Sequence, residues 1–103
     1  MTRFVLHPEA YTDLDEIWEY IAADNLVAAD RVLDKIYQTL RSLVAFPHQG
    51  HSRPDLTARP LRFQLVRDYV IAYAADEQPL IVIAVLHGRR SPRVIAAILR
   101  QRD

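Results

Sequence analysis

The chain has 103 residues, half of them hydrophobic and a quarter charged, which fits one small globular domain spanning residues 1–103. It has no cysteine and only two glycines, which excludes a disulfide framework, a thiolate zinc site and the common glycine-rich phosphate loops. Net charge is zero but uneven: residues 1–50 carry four cations against eight anions, and residues 51–103 carry nine arginines against five anions. Arginine binds carboxylate and phosphate bidentately, so the basic second half points to an anionic partner, either nucleic acid or an acidic protein segment. A genome-wide arginine bias is the plainer account.

The stretch Met1 to His7 is too short and too polar for a signal peptide, and no apolar run reaches membrane-spanning length. A cytoplasmic protein without membrane contact is expected. Arg3 to Leu6 reads as a first strand. Pro8 suits the first position of a helix, and Leu14, Ile17, Trp18 and Ile21 recur at helical spacing after it. Tyr11 and Trp18 are expected to pack between the helices and the sheet. Asn25 is placed to cap a second helix with a stripe of Ala29, Val32, Leu33, Ile36, Leu40 and Leu43. The short link makes the two helices an antiparallel hairpin.

Phe46-Pro47 ends the second helix, and residues 47–60 form an aperiodic loop holding three prolines. His48 and His51 in that loop lack cysteine or a cluster of acids beside them, so no metal and no cofactor are expected. Leu61, Phe63 and Leu65 alternate with polar residues, Arg67-Asp68 makes a turn, and Tyr69 to Ala75 is the next strand. The apolar run from Leu80 to Leu86 reads as a central strand leading into His87-Gly88-Arg89-Arg90. Gly88 is expected to supply a backbone conformation that other residues resist. Ser91 then caps a last helix with Pro92 in its first turn. The fold class is α+β, β-α-α-β-β-β-α, with the helical hairpin packed on one face of a small antiparallel sheet.

That order, with particular residues at its joints, resembles the RelE/ParE superfamily of type II toxins. The matching pieces are Asp13 to Ala22, Ala28-Ala29-Asp30-Arg31, Phe46-Pro47-His48-Gln49-Gly50, Leu61-Arg62, Tyr69-Val70-Ile71-Ala72-Tyr73 and Val85-Leu86-His87-Gly88-Arg89-Arg90. Two branches differ in what they imply. Resemblance to the messenger-RNA-cleaving members implies Arg62, His87 and Arg89 as cation, acid–base group and phosphate holder, because cleavage needs a base for the 2′-hydroxyl, an acid for the leaving oxygen and cations for the phosphorane charge. No aromatic residue follows Tyr73, however, and the middle loop has no lysine.

The ParE branch is the closer match, through the helix-one signature, the Pro-x-x-Gly bend and the histidine followed by arginines. It implies a toxin that is itself no enzyme, poisons DNA gyrase, arrests growth and stabilises plasmids. Arg62, His87, Arg89 and Arg90 then meet the target. The resemblance also implies a cognate antitoxin, ParD-like or RelB-like, held in a hetero-oligomer near Arg62, Tyr69, Tyr73 and Arg93, and contact with operator DNA only through that antitoxin. Each residue also has a structural reading. His87 would then be a backbone-bonded histidine, Arg62 an exposed strand cation, Tyr69 and Tyr73 core residues, and Arg100 and Arg102 favourable charges at a helix end.

Overall fold

The computed structural model describes residues 3–103. Met1 and Thr2, read above as part of the N-terminal stretch, lie outside the described residues. Among the described residues, three helices and four strands follow the expected order: β1 (Phe4–Leu6), α1 (Pro8–Ala22), α2 (Leu26–Ala45), β2 (Arg62–Val66), β3 (Tyr69–Ala74), β4 (Leu80–His87) and α3 (Pro92–Gln101). A single 3₁₀ turn, Pro47–Gln49, closes α2.

Local chemistry sets the helix ends. The Asn25 side chain accepts from the Ala28 N–H at 3.0 Å and Ser91 accepts from Val94 at 3.3 Å, each satisfying a donor that a helix start leaves open. For α1 the cap is His7, whose Nδ1 accepts from the Glu9 N–H at 3.1 Å ahead of Pro8.

The sheet order is β1-β4-β3-β2. β2, β3 and β4 form the expected antiparallel meander, and β1 joins beside β4 in parallel, which makes the sheet mixed. The hairpin reverses the chain over one face, so β1 and β4 run the same way. The buried stripe of the hairpin, with Leu14, Ile36, Leu40 and Leu43, packs on Val66, Ile71, Tyr73 and Val82. The other face is covered by α3 and by the middle loop: Ile95 and Leu99 join Leu56, Leu61, Phe63, Val70 and Leu86 in a second cluster. β4 is therefore buried on both faces, as its unbroken apolar run requires.

Tyr11 departs from expectation. It is exposed, because it falls at the margin of the α1 stripe of Ala10, Leu14 and Ile17, on the side toward Tyr37 of α2, rather than within it. Trp18 is half-buried and lies across the hairpin, its Nε1 donating to Asp30 of α2 at 3.0 Å.

Candidate functional site

β1 is three residues long and β4 eight, so β1 covers only Leu80 to Val82. Beyond that point the edge of β4 would present bare backbone groups, which a fold must pair or cover. Two side chains do this. Asp13 of α1 accepts from the Val85 N–H at 3.0 Å, and Arg102, just past α3, donates to the Ile83 carbonyl at 3.1 Å. The same two residues form a bidentate pair of 2.6 and 2.9 Å, and both are buried. The Asp13 hydrogen bond raises the Arg102 pKa above its already high ordinary value. Arg59 from the middle loop donates to the Leu99 and Arg102 carbonyls and fixes the end of α3. Arg102 is thus not a solvated charge at a helix end.

Farther along, β4 ends at His87, paired across the sheet with Tyr69; the two rings meet edge to face at 5.2 Å. The His87 Nδ1 accepts from the Arg89 N–H at 3.0 Å, and its carbonyl accepts from Arg90. Gly88 donates to the Asp68 carbonyl at 2.7 Å, so the β4–α3 turn lies against the β2–β3 turn. Gly88 has no left-handed φ. A Cβ there would instead stand 3.2 Å from the Asp68 carbonyl, so close backbone approach is the reason for glycine. Arg67 is the residue with positive φ, 53°, at the apex of the β2–β3 turn.

The two adjacent arginines diverge. Arg90 borders a groove of about 480 Å³ between α1 and the end of β4, with Glu16, Ile17, Tyr20, Tyr69 and His87 around it. Tyr20 is 81% exposed on its rim. Arg89 points the other way, to a cleft of about 330 Å³ shared with Leu65, Arg67 and Asp68. Arg93 is exposed in the first turn of α3. A larger cleft, about 680 Å³, lies at the other end of the sheet between β1 and the β3–β4 turn and holds none of these residues. No group of three or more histidines, cysteines and acids that could hold a metal occurs among the described residues.

Arg62 is not part of this site. It pairs across the sheet with Tyr73, four residues along β3 from Tyr69, and therefore lies ~13 Å from the His87 end along the strands and two strands over. Its guanidinium donates to the carbonyls of Gly50 at 2.7 Å and His48 at 3.3 Å, fastening the middle loop. Tyr73 is fully buried and has no surface to offer an antitoxin. Its hydroxyl donates to Pro47 O at 2.7 Å and accepts from Gly50 N at 2.9 Å. Tyr69 is also mostly buried but reaches the groove wall.

Burial raises the pKa of both tyrosines. At Tyr73 the Gly50 N–H and Arg62 pull the other way; at Tyr69 Asp68 and Tyr20 add to the rise and Arg89 opposes it. Raised folded values mean that the native state holds these protons longer than the unfolded chain does. The corresponding stability is complete below about pH 10, where free tyrosine titrates, and is lost as pH climbs through the folded values. The urea midpoint should therefore hold from neutral pH to about pH 9 and fall by about pH 11. A midpoint unchanged at the higher pH would show that the two hydroxyls ionise freely in the fold.

A helical hairpin over a four-stranded sheet, with a histidine and diverging arginines at the end of a central strand, defines a small α+β domain. The family model for the ParE toxin of the type II toxin–antitoxin system parDE matches residues 4–92, and the chain belongs to that family. No curated protein matches the chain. It is a type II toxin, and its family implies a cognate antitoxin as partner. No helix among the described residues is long and apolar enough to cross a membrane.

Proposed function

We propose that the protein arrests growth by binding DNA gyrase in the cytoplasm and trapping it on cleaved DNA, and that a ParD-like antitoxin neutralises it in a hetero-oligomer. One observation carries the choice of an inhibitor over a ribonuclease. Arg62, His87 and Arg89 do not surround one phosphate: Arg62 is held on backbone carbonyls at the far end of the sheet. His87 is poorly placed as a base as well. Its Nδ1 accepts from the Arg89 N–H at 3.0 Å and its Nε2 faces the Arg89 guanidinium at 3.4 Å, so both ring nitrogens are occupied by Arg89.

The reading assigns the target surface to His87, Arg89 and Arg90. The antitoxin takes the groove beside Tyr20 and Tyr69, with Arg93 in reach of its acids. Operator DNA is then met through the antitoxin. The test is a plasmid supercoiling assay with purified protein, gyrase and ATP. Trapped linear plasmid that requires both proteins is expected. The double substitution Arg89→Ala/Arg90→Ala should raise the protein needed by about tenfold or more. Unchanged supercoiling at stoichiometric excess of toxin overturns the proposal.

A further inference from the structure

The arginines at the end of the sheet reach beyond Arg89 and Arg90, the two assigned to the proposed target. Arg67 stands at the apex of the β2–β3 turn, and Arg89, Arg90 and Arg93 follow one another through the β4–α3 turn into α3. The Gly88 to Asp68 hydrogen bond holds the two turns side by side, and Arg67 and Arg89 border the same cleft. All four are exposed, and among the described residues none of them has a carboxylate within ion-pair distance. The acids that pair do so elsewhere: Asp13 and Glu9 with Arg102, Asp55 with Arg53, Asp76 with His48. Only Asp68 offsets the charge in that cleft. The α3 N-terminus, with no acid in its first turn, adds the positive end of its dipole at the same place. Surfaces normally intersperse the two signs, since crowded cations repel one another.

We infer that this cluster, Arg67, Arg89, Arg90 and Arg93, binds the phosphate backbone of duplex DNA directly and without sequence preference. Phosphates suit it better than an acidic peptide does. Peptides are held by apolar anchors in grooves, and the cleft between Arg67 and Arg89 offers one exposed apolar side chain, Leu65. A phosphate backbone runs past a surface and asks only for exposed cations along a projecting edge, and two adjacent turns provide that even though Arg89 and Arg90 diverge. Arginine in place of lysine adds bidentate hydrogen bonds to each phosphate. The contact carries no sequence preference, because phosphates are the same at every base pair and the four arginines are assigned to phosphates alone.

The assay is fluorescence anisotropy of a labelled duplex with the purified chain over a series of salt concentrations, with no gyrase present. Binding should weaken steeply with salt, with a log–log slope of about −3 for three to four phosphate contacts. Arg67→Gln/Arg89→Gln should lower affinity on the order of tenfold and reduce the slope by about two. Arg31→Gln/Arg41→Gln removes the same charge from α2 and should leave both values unchanged. Circular dichroism on each variant checks the fold. Absence of binding at low salt, or an equal effect of the two double variants, overturns the inference. So does binding of a polyglutamate peptide, lost in Arg67→Gln/Arg89→Gln, with no binding of DNA. Because gyrase is absent, a failure here leaves the supercoiling result standing, and the converse also holds.

Discussion

Asp13→Ala is expected to cost about 3–5 kcal/mol of stability, a large share of the roughly 5–15 kcal/mol that holds a domain of this size. The substitution does three things at once. It leaves the buried Arg102 guanidinium without its bidentate partner, removes the acceptor of the Val85 N–H, and opens a cavity beneath α1. A buried charge that loses its partner carries most of that cost, because water cannot reach it fully. Urea unfolding followed by circular dichroism measures the change.

Arg102→Ala should be nearly as damaging, since it strands Asp13 and frees the Ile83 carbonyl. Asp13→Leu/Arg102→Met should fall short of the sum of the two single losses, because no lone charge remains in the core. It should not reach wild-type stability, because Ile83 O and Val85 N stay without partners. A loss below about 1 kcal/mol for Asp13→Ala would mean that the pair is solvated like a surface bridge, and the edge-sealing role would fall. The pair also matters for the site. It anchors α3, whose first turn follows directly on the Arg89-Arg90 turn, so loosening it should blunt both of the proposed arginine-dependent activities before the domain unfolds.

How much of this could be read from residues alone follows from distance along the chain. The caps at Asn25 and Ser91, the alternation from Leu61 to Leu65 and the apolar run of β4 are local signals, and local backbone physics answers them directly. The parallel placement of β1 has no such signal, because it depends on the hairpin reversing the chain over the sheet. Asp13 did leave a trace. It sits with Ala10, Leu14 and Ile17 at helical spacing, a carboxylate inside an apolar stripe, which calls for a buried partner. Nothing in the sequence names that partner: Arg102 is 89 residues away, follows the last helix, and lies beyond the span that the family model matches. Arg62 misled for a related reason. An arginine opening an amphipathic strand looks solvent-facing until the loop from Pro47 folds back and offers it two carbonyls. Arg89 and Arg90 were legible as a basic pair after the last strand, but which way each points depends on the turn that follows His87 and is seen only in the fold.

Gly50→Ala should destabilise the protein by about 2–4 kcal/mol through overpacking and a lost hydrogen bond. Backbone conformation is not the cause, since φ −74° and ψ 174° suit any residue. A Cβ at Gly50 would stand 2.6 Å from the Tyr73 hydroxyl and 2.8 Å from the Phe63 carbonyl. Neither can retreat cheaply. Tyr73 is fully buried with its hydroxyl fixed on Pro47, and the Phe63 carbonyl accepts from His51 in the bridge that holds the loop to β2. Tyr73→Phe by itself should cost about 1–3 kcal/mol, because the Pro47 carbonyl and Gly50 N–H lose their common partner. Made on top of Tyr73→Phe, Gly50→Ala no longer meets a hydroxyl, so the two losses should fall short of their sum by about 1 kcal/mol. Strict additivity would show that Phe63 alone sets the clash. Arg62 gives the knot a third strand by donating to the Gly50 carbonyl, so shifting Gly50 should loosen the loop as a unit. The loop carries Leu56 and Leu61 into the α3-side cluster, and amide exchange in Gly50→Ala should quicken from residue 50 to 61 before it does in the hairpin.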